Sequence, residues 1–281
     1  MLKLIRNHPL ISFFLLAFGL SWGILIPLVL SSYGLVPAPP FPLLIVMGYG
    51  PTTAAIVMST VVGGRAEVKA LLKRLLIWRV GWRWWAATLF LNGLLILGAN
   101  VLYGLLGNPV PPFPELAPSL LLDVVLTFLM VSLINGEEIG WRGFALPRLQ
   151  KSYGFAATVV VLGVLETLFH LPIFFNNGAS EAGGQNGVPF AAFLVTSLLA
   201  VPFFIWLYNG TRGSLLMATL MHGSMNAWSS ILPFPAQSDS FFWLIGVMQA
   251  IGLVVIYGVQ RLSAARSPAL RTPAVAIGAQ R

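Results

Sequence analysis

The sequence predicts an all-α, polytopic transmembrane bundle of about eight spans. Three observations predict it. Of 281 residues, 57% are hydrophobic and 9% are charged, which is too apolar for one soluble core to hide. The apolar runs are long enough to cross a hydrocarbon layer of ~30 Å. The basic residues fall in alternate loops, a pattern that run length alone does not force.

The runs lie at 11–32, 41–63, 84–106, 117–140, 155–175, 189–208, 213–232 and 240–261. The first, at about 20 residues, exceeds the roughly 7–15 of a signal-peptide core and no A-x-A-like site follows it, so it reads as a retained helix. Between the second and third spans, residues 65–85 set Leu71, Leu72, Leu75, Leu76 and Trp78 among basic residues, the pattern of an interfacial amphipathic helix. Trp78, Trp82, Trp84 and Trp85 read as an interface belt. The third span carries Asn92 and Asn100 and the fourth Asp123, all expected at helix contacts or the interface.

One side collects every basic residue: Lys3 and Arg6, then Arg65, Lys69, Lys73, Arg74, Arg79 and Arg83, then Arg142, Arg148 and Lys151, then Arg212, and finally Arg261, Arg266, Arg271 and Arg281. The opposite loops hold Glu115, Glu181 and Asp239. An even number of spans follows, with both termini on the cytoplasmic side of the inner membrane. Residues 1–262 read as one transmembrane domain and 263–281, rich in Ala, Pro and Arg, as a disordered cytoplasmic tail.

Several chemistries are excluded by inspection. With no cysteine, disulfides, thiolate metal sites and a cysteine nucleophile are absent. The formal charge of +8 does not point to nucleic acid, which needs a basic face on a soluble module. HExxH is absent, Asp123 and Asp239 do not make an intramembrane aspartate pair, and Gly213-Ser214 lacks a nucleophile-elbow pattern. Ser214 reads as the cap of the seventh helix.

Ionisable groups inside spans cost about 2.5–3.5 kcal/mol each when central, so each needs a reason. Here they gather in three places: Asn135-Gly136-Glu137-Glu138-Ile139-Gly140-Trp141-Arg142, Glu166 through His170 to Pro172, and His222 through Asn226. Glu138 and Arg142 share a face at i,i+4 and are expected to pair, which turns Glu137 about 100° away from them. Glu166 and His170 share a face in the same way, so Glu166 is expected to hydrogen-bond that imidazole. If the fourth helix runs straight to Gln150, Glu137 lies about 20 Å along it, His170 about 24 Å and His222 about 14 Å along theirs, compatible with one level. The residues then read as a glutamate and histidine site, with Glu137 and His170 activating water and His222 and Asn226 donating to an oxyanion. The same four groups could instead hold a divalent metal such as zinc.

These motifs resemble the CAAX-processing and bacteriocin-processing family of intramembrane proteases, also called the Abi or type II CAAX prenyl protease family. The resemblance covers roughly 117–228. EExxxR is present as Glu137, Glu138 and Arg142, a histidine in a His-Leu-Pro context as His170, and HxxxN as His222 and Asn226. Four residues before His170, where the family usually has an aromatic, stands Glu166. The resemblance implies an endopeptidase acting near the inner leaflet on peptide or prenylated protein substrates, among membrane lipids, with Glu137 as the activating carboxylate and Glu138, Arg142 and Glu166 in support. Relatives are also linked to bacteriocin maturation and self-immunity. The rival reading is a non-proteolytic membrane scaffold or transporter accessory built on the same polar cluster, although repeat symmetry of the transporter kind is not detected.

Overall fold

The computed structural model describes residues 2–115, 117–177, 188–233, 235 and 238–266. Within them the longer elements are all α-helices: α1 (Leu2–Asn7), α2 (Pro9–Ser32), α3 (Phe41–Gly48), α4 (Gly50–Lys73), α5 (Trp82–Leu105), α6 (Pro118–Ile134), α7 (Leu146–Phe169), α8 (Phe190–Gly210), α9 (Leu215–Ile231) and α10 (Asp239–Arg266). Glu181 and residues 267–281, including Arg271 and Arg281, lie outside the described residues. The last helix continues to Arg266, into the segment read as tail.

The fold is an all-α, multi-pass membrane bundle, and each of the eight apolar runs coincides with helix. Five helical stretches are long and apolar enough to span by themselves, and a sixth if α3 and the following helix, bent by 52°, count as one crossing. The helices α6 and α9 have 17 residues each, at the lower limit of about 17 for a span. Proline supports several starts, at Pro9, Pro51 and Pro118, where the missing N–H would have no intrahelical partner anyway.

Two glycines set where spans meet surface helices. Gly64 has φ +65° and Gly154 φ +75°, both in the left-handed region that side chains disfavour. Each therefore breaks a long helix in two, separating 50–63 from 65–73 and 146–153 from 155–169. The boundaries at 63 and 155 expected from hydropathy fall beside these breaks. Residues 65–73 are thus an amphipathic helix of their own direction, with Leu71 turned inward and Arg65, Lys69, Leu72 and Lys73 exposed.

The helices pack in succession around the bundle: α2 against α4, α4 against residues 139–145, α7 against α8, α10 against both α8 and α5, and α9 against both α5 and α6. An aromatic cluster locks the first contacts. Phe13 stacks on Phe144 at 5.0 Å between centroids, Phe14 on Trp141 at 6.0 Å, and Phe169 meets Trp141 edge-on at 5.3 Å. Asn92 and Asn100 do join helix contacts: Asn92 donates to the Met221 carbonyl oxygen at 3.4 Å and Asn100 to that of Pro233 at 3.1 Å. Asp123, by contrast, is exposed on α6.

The four tryptophans of the expected belt divide by exposure. Trp78 and Trp82 are exposed, but Trp84 turns into the bundle, 4.7 Å from Trp206 and against Gly210. Position on α5 decides this, because Trp84 already faces α8 one turn into the helix.

Candidate active site

Residues 135–145 depart from the straight helix expected there. The helix α6 ends at Ile134, Asn135 adopts φ −83° and ψ 90°, and regular winding resumes at Glu137. Leaving the helix at Asn135 frees carbonyls that need donors in an apolar surrounding. Two residues near the start of α4 supply them: the Tyr49 hydroxyl donates to the Leu133 carbonyl and the Thr52 hydroxyl to that of Gly136. The backbones approach closely here, since a Cβ on Gly140 would stand 2.6 Å from the Pro51 carbonyl oxygen. Gly140 is therefore a steric requirement for seating the glutamate pair against α4. Residues Ile139–Ala145 then wind as a π-helix, shown by the Leu146 N–H donating to the Trp141 carbonyl five residues back. Such widened turns concentrate at functional sites.

This turn presents its side chains in two directions. Glu138 and Arg142 face α7 and α9. Arg142 Nε lies 3.1 Å from Glu138 Oε2, an ion pair whose line departs from hydrogen-bond geometry, and Arg142 Nη1 donates to Glu166 Oε1 at 2.7 Å. The guanidinium also sits 4.0 Å from the Phe204 ring centroid. At 1% exposure, Arg142 is an interior counter-ion, and it does not belong with the loop charges that orient the chain. Glu138 holds a second partner through its other oxygen, which accepts from His222 Nδ1 at 2.8 Å. Glu138 thus aligns His222 while Arg142 neutralises Glu138.

Glu137 faces away from Arg142, toward the end of α7. Trp141, fixed by its aromatic neighbours, donates its Nε1–H to Glu137 Oε2 at 3.2 Å. Glu137 Oε1 stands 3.8 Å from His170 Nε2. The other nitrogen of that ring, Nδ1, donates to the Glu166 backbone carbonyl at 2.8 Å. Because a carbonyl can only accept, the proton of the neutral ring is on Nδ1 and the Nε2 lone pair is bare. Phe169 and Phe193 flank the ring at 5.3 and 5.5 Å.

The expected hydrogen bond between the His170 imidazole and the Glu166 carboxylate is not formed. Helix spacing brings the backbone carbonyl of Glu166 to His170, while its carboxylate is drawn to the buried guanidinium of Arg142. His222 and Asn226 share a face of α9, and no protein group hydrogen-bonds the Asn226 side-chain amide among the described residues. Ser214 caps α9 as expected, accepting from the Met217 N–H at 3.1 Å. Gly223 lets α6 approach α9 beside His222, since a Cβ there would fall 2.0 Å from Ser132 Oγ.

The alternative of a metal cage fits poorly. Among the described residues no three His, Asp or Glu side chains converge on a point where an ion could sit. The histidines are divided, His170 toward Glu137 and His222 toward Glu138, and Glu138 is already shared with Arg142.

Comparison with known proteins meets the chain at these same elements. Residues 117–228 match the family Type II CAAX prenyl endopeptidase Rce1-like. The resemblance carried by the three motifs is borne out over that stretch. A relative named CAAX prenyl protease 2, from Methanococcus maripaludis, is 28% identical over 111 residues, covering 39% of this chain and 41% of the relative. The aligned stretch thus spans well under half the length of that relative. The matched family segment holds the break at Asn135, the π-helical turn, α7, α8 and α9, which together bear Glu137, Glu138, Arg142, Glu166, His170, His222 and Asn226.

Sequence reasoning did not single out Tyr49, Thr52 or Trp141 as site residues. Of these, Trp141 carried a signal, because at i+4 from Glu137 its indole N–H is within reach of that carboxylate. Tyr49 and Thr52 act across 84 residues of chain, a separation that no local pattern reports.

Proposed function

We propose that the chain is an intramembrane endopeptidase that hydrolyses membrane-associated peptides of prenylated, CAAX-like or bacteriocin-like kind, through water activated by Glu137 and His170. The observation that carries this reading is the pair of hydrogen-bond acceptors, Glu137 Oε1 and the bare His170 Nε2, facing each other at 3.8 Å. A water between them donates one proton to each and keeps a lone pair for attack. The match to a prenyl endopeptidase family and to a relative named as a prenyl protease points the same way.

On this reading the water oxygen bonds to the scissile carbonyl carbon as Glu137 takes its proton. His222 donates to the oxyanion from Nε2–H in its protonated form, with Nδ1–H held by Glu138, and the unengaged Asn226 amide donates beside it. The tetrahedral intermediate collapses with cleavage of the C–N bond, and the proton on Glu137 passes to the departing amine. Arg142 pairs with Glu138 and Glu166, which leaves Glu137, whose near donor is the Trp141 indole, outside that ion pair and turned to the water. The alternation of loop charges supports an orientation with both termini at the cytoplasmic face of the inner membrane.

The test is cleavage of prenylated and unprenylated peptide libraries by the full chain in lipid, compared with His222→Ala at equal folded amount. Loss of an oxyanion donor is expected to lower kcat by about 10²–10³-fold. Equal rates would remove His222 from the chemistry, and absence of cleavage of any peptide by the unaltered chain would overturn the endopeptidase reading.

A further inference from the structure

The amphipathic helix at 65–73 carries a feature that the proteolytic site does not use. Arg65, Lys69 and Lys73 follow one another at i, i+4 and i+8 and so form one exposed stripe. None of the three has an acidic partner among the described residues. The one acidic side chain of the segment, Glu67, is taken by Arg148 at 2.9 Å, and the neighbouring Arg74 is engaged by the Tyr208 hydroxyl at 2.6 Å. Beside the stripe lies an open groove of about 690 Å³, lined by the three cations together with Thr60, Val68, Leu72 and Leu76. The break at Gly64 makes this shape, because it turns the amphipathic helix away from the span that ends at residue 63.

We infer that this groove is a binding site for one anionic phospholipid, with its phosphate among Arg65, Lys69 and Lys73 and its acyl chains along the leucine wall. Charge complementarity selects that occupant: three unpaired cations attract a lipid phosphate and repel a basic peptide, and the apolar wall has no use for a free inorganic anion. The opposite face of the same helix meets the site, where Leu71 packs beneath Gly143 and Arg74 donates to the Gly143 carbonyl at 3.3 Å. A lipid in the groove therefore steadies the helix on which the π-helical turn rests.

The experiment is lipid retention by the purified full chain, read by native mass spectrometry, using phosphatidylglycerol and phosphatidylcholine of identical acyl chains. It does not depend on proteolysis. The unaltered chain is expected to retain phosphatidylglycerol by about tenfold or more over phosphatidylcholine. The combined variant Arg65→Gln, Lys69→Gln, Lys73→Gln should lose that preference, and Arg79→Gln with Arg83→Gln, equally basic positions outside the groove, should keep it. Preference surviving in the triple variant, equal loss in the control variant, or displacement of the lipid by millimolar inorganic phosphate would each overturn the assignment.

Discussion

Arg142→Met is expected to destabilise the folded chain by about 3–5 kcal/mol, the cost of leaving buried charge uncompensated. The guanidinium is the shared partner of Glu138 and Glu166, and all three groups lie between the π-helical turn, α7 and α9. Removing it strands two carboxylates in an interior where water does not substitute. Thermal unfolding in a mild detergent reads the effect. Adding Glu166→Gln to Arg142→Met removes one stranded charge and should recover part of the loss, whereas a melting curve unchanged by Arg142→Met would show that the carboxylates are solvated or neutral without it.

The second large effect is on chemistry. Glu137→Gln keeps size and one acceptor atom but removes the base, and is expected to lower kcat by about 10²–10⁴-fold with KM little changed. Folding should be nearly unaffected, because Arg142 is satisfied by Glu138 and Glu166 and does not depend on Glu137. Steady-state cleavage of a peptide substrate in lipid, beside a melting curve of the same preparation, separates the two. A kcat that falls in step with the folded fraction would make Glu137 a structural residue.

Much of the bundle is legible in the sequence because the bilayer imposes a long-period signal: each apolar run at 11–32 through 240–261 contains helix. The ends of the apolar runs at 63 and 155 fall beside the helix breaks at Gly64 and Gly154. The pairing of Glu138 with Arg142 follows from helix geometry, although the turn is a π-helix and not the α-helix that the spacing assumes. What the pattern does not carry is anything decided by contacts between distant segments. Asn135-Gly136 interrupts an apolar run with two small polar residues; the Asn135 side chain accepts locally from the Glu137 N–H, but the donors for the freed carbonyls, the Tyr49 and Thr52 hydroxyls, arrive from the start of α4. Glu166 is misread from its own helix for the same reason, since its carboxylate answers to Arg142, 24 residues away, and leaves its backbone carbonyl to His170.

The central claim is that Glu137 and His170 act on one water, and the most direct measurement is a double-mutant cycle on kcat for peptide cleavage with Glu137→Gln, His170→Phe and the combined variant. Residues that act as a unit are not additive, so the combined variant should be about as slow as Glu137→Gln alone. Losses that multiply across the two positions would mean that the two side chains work independently, and would contradict the account.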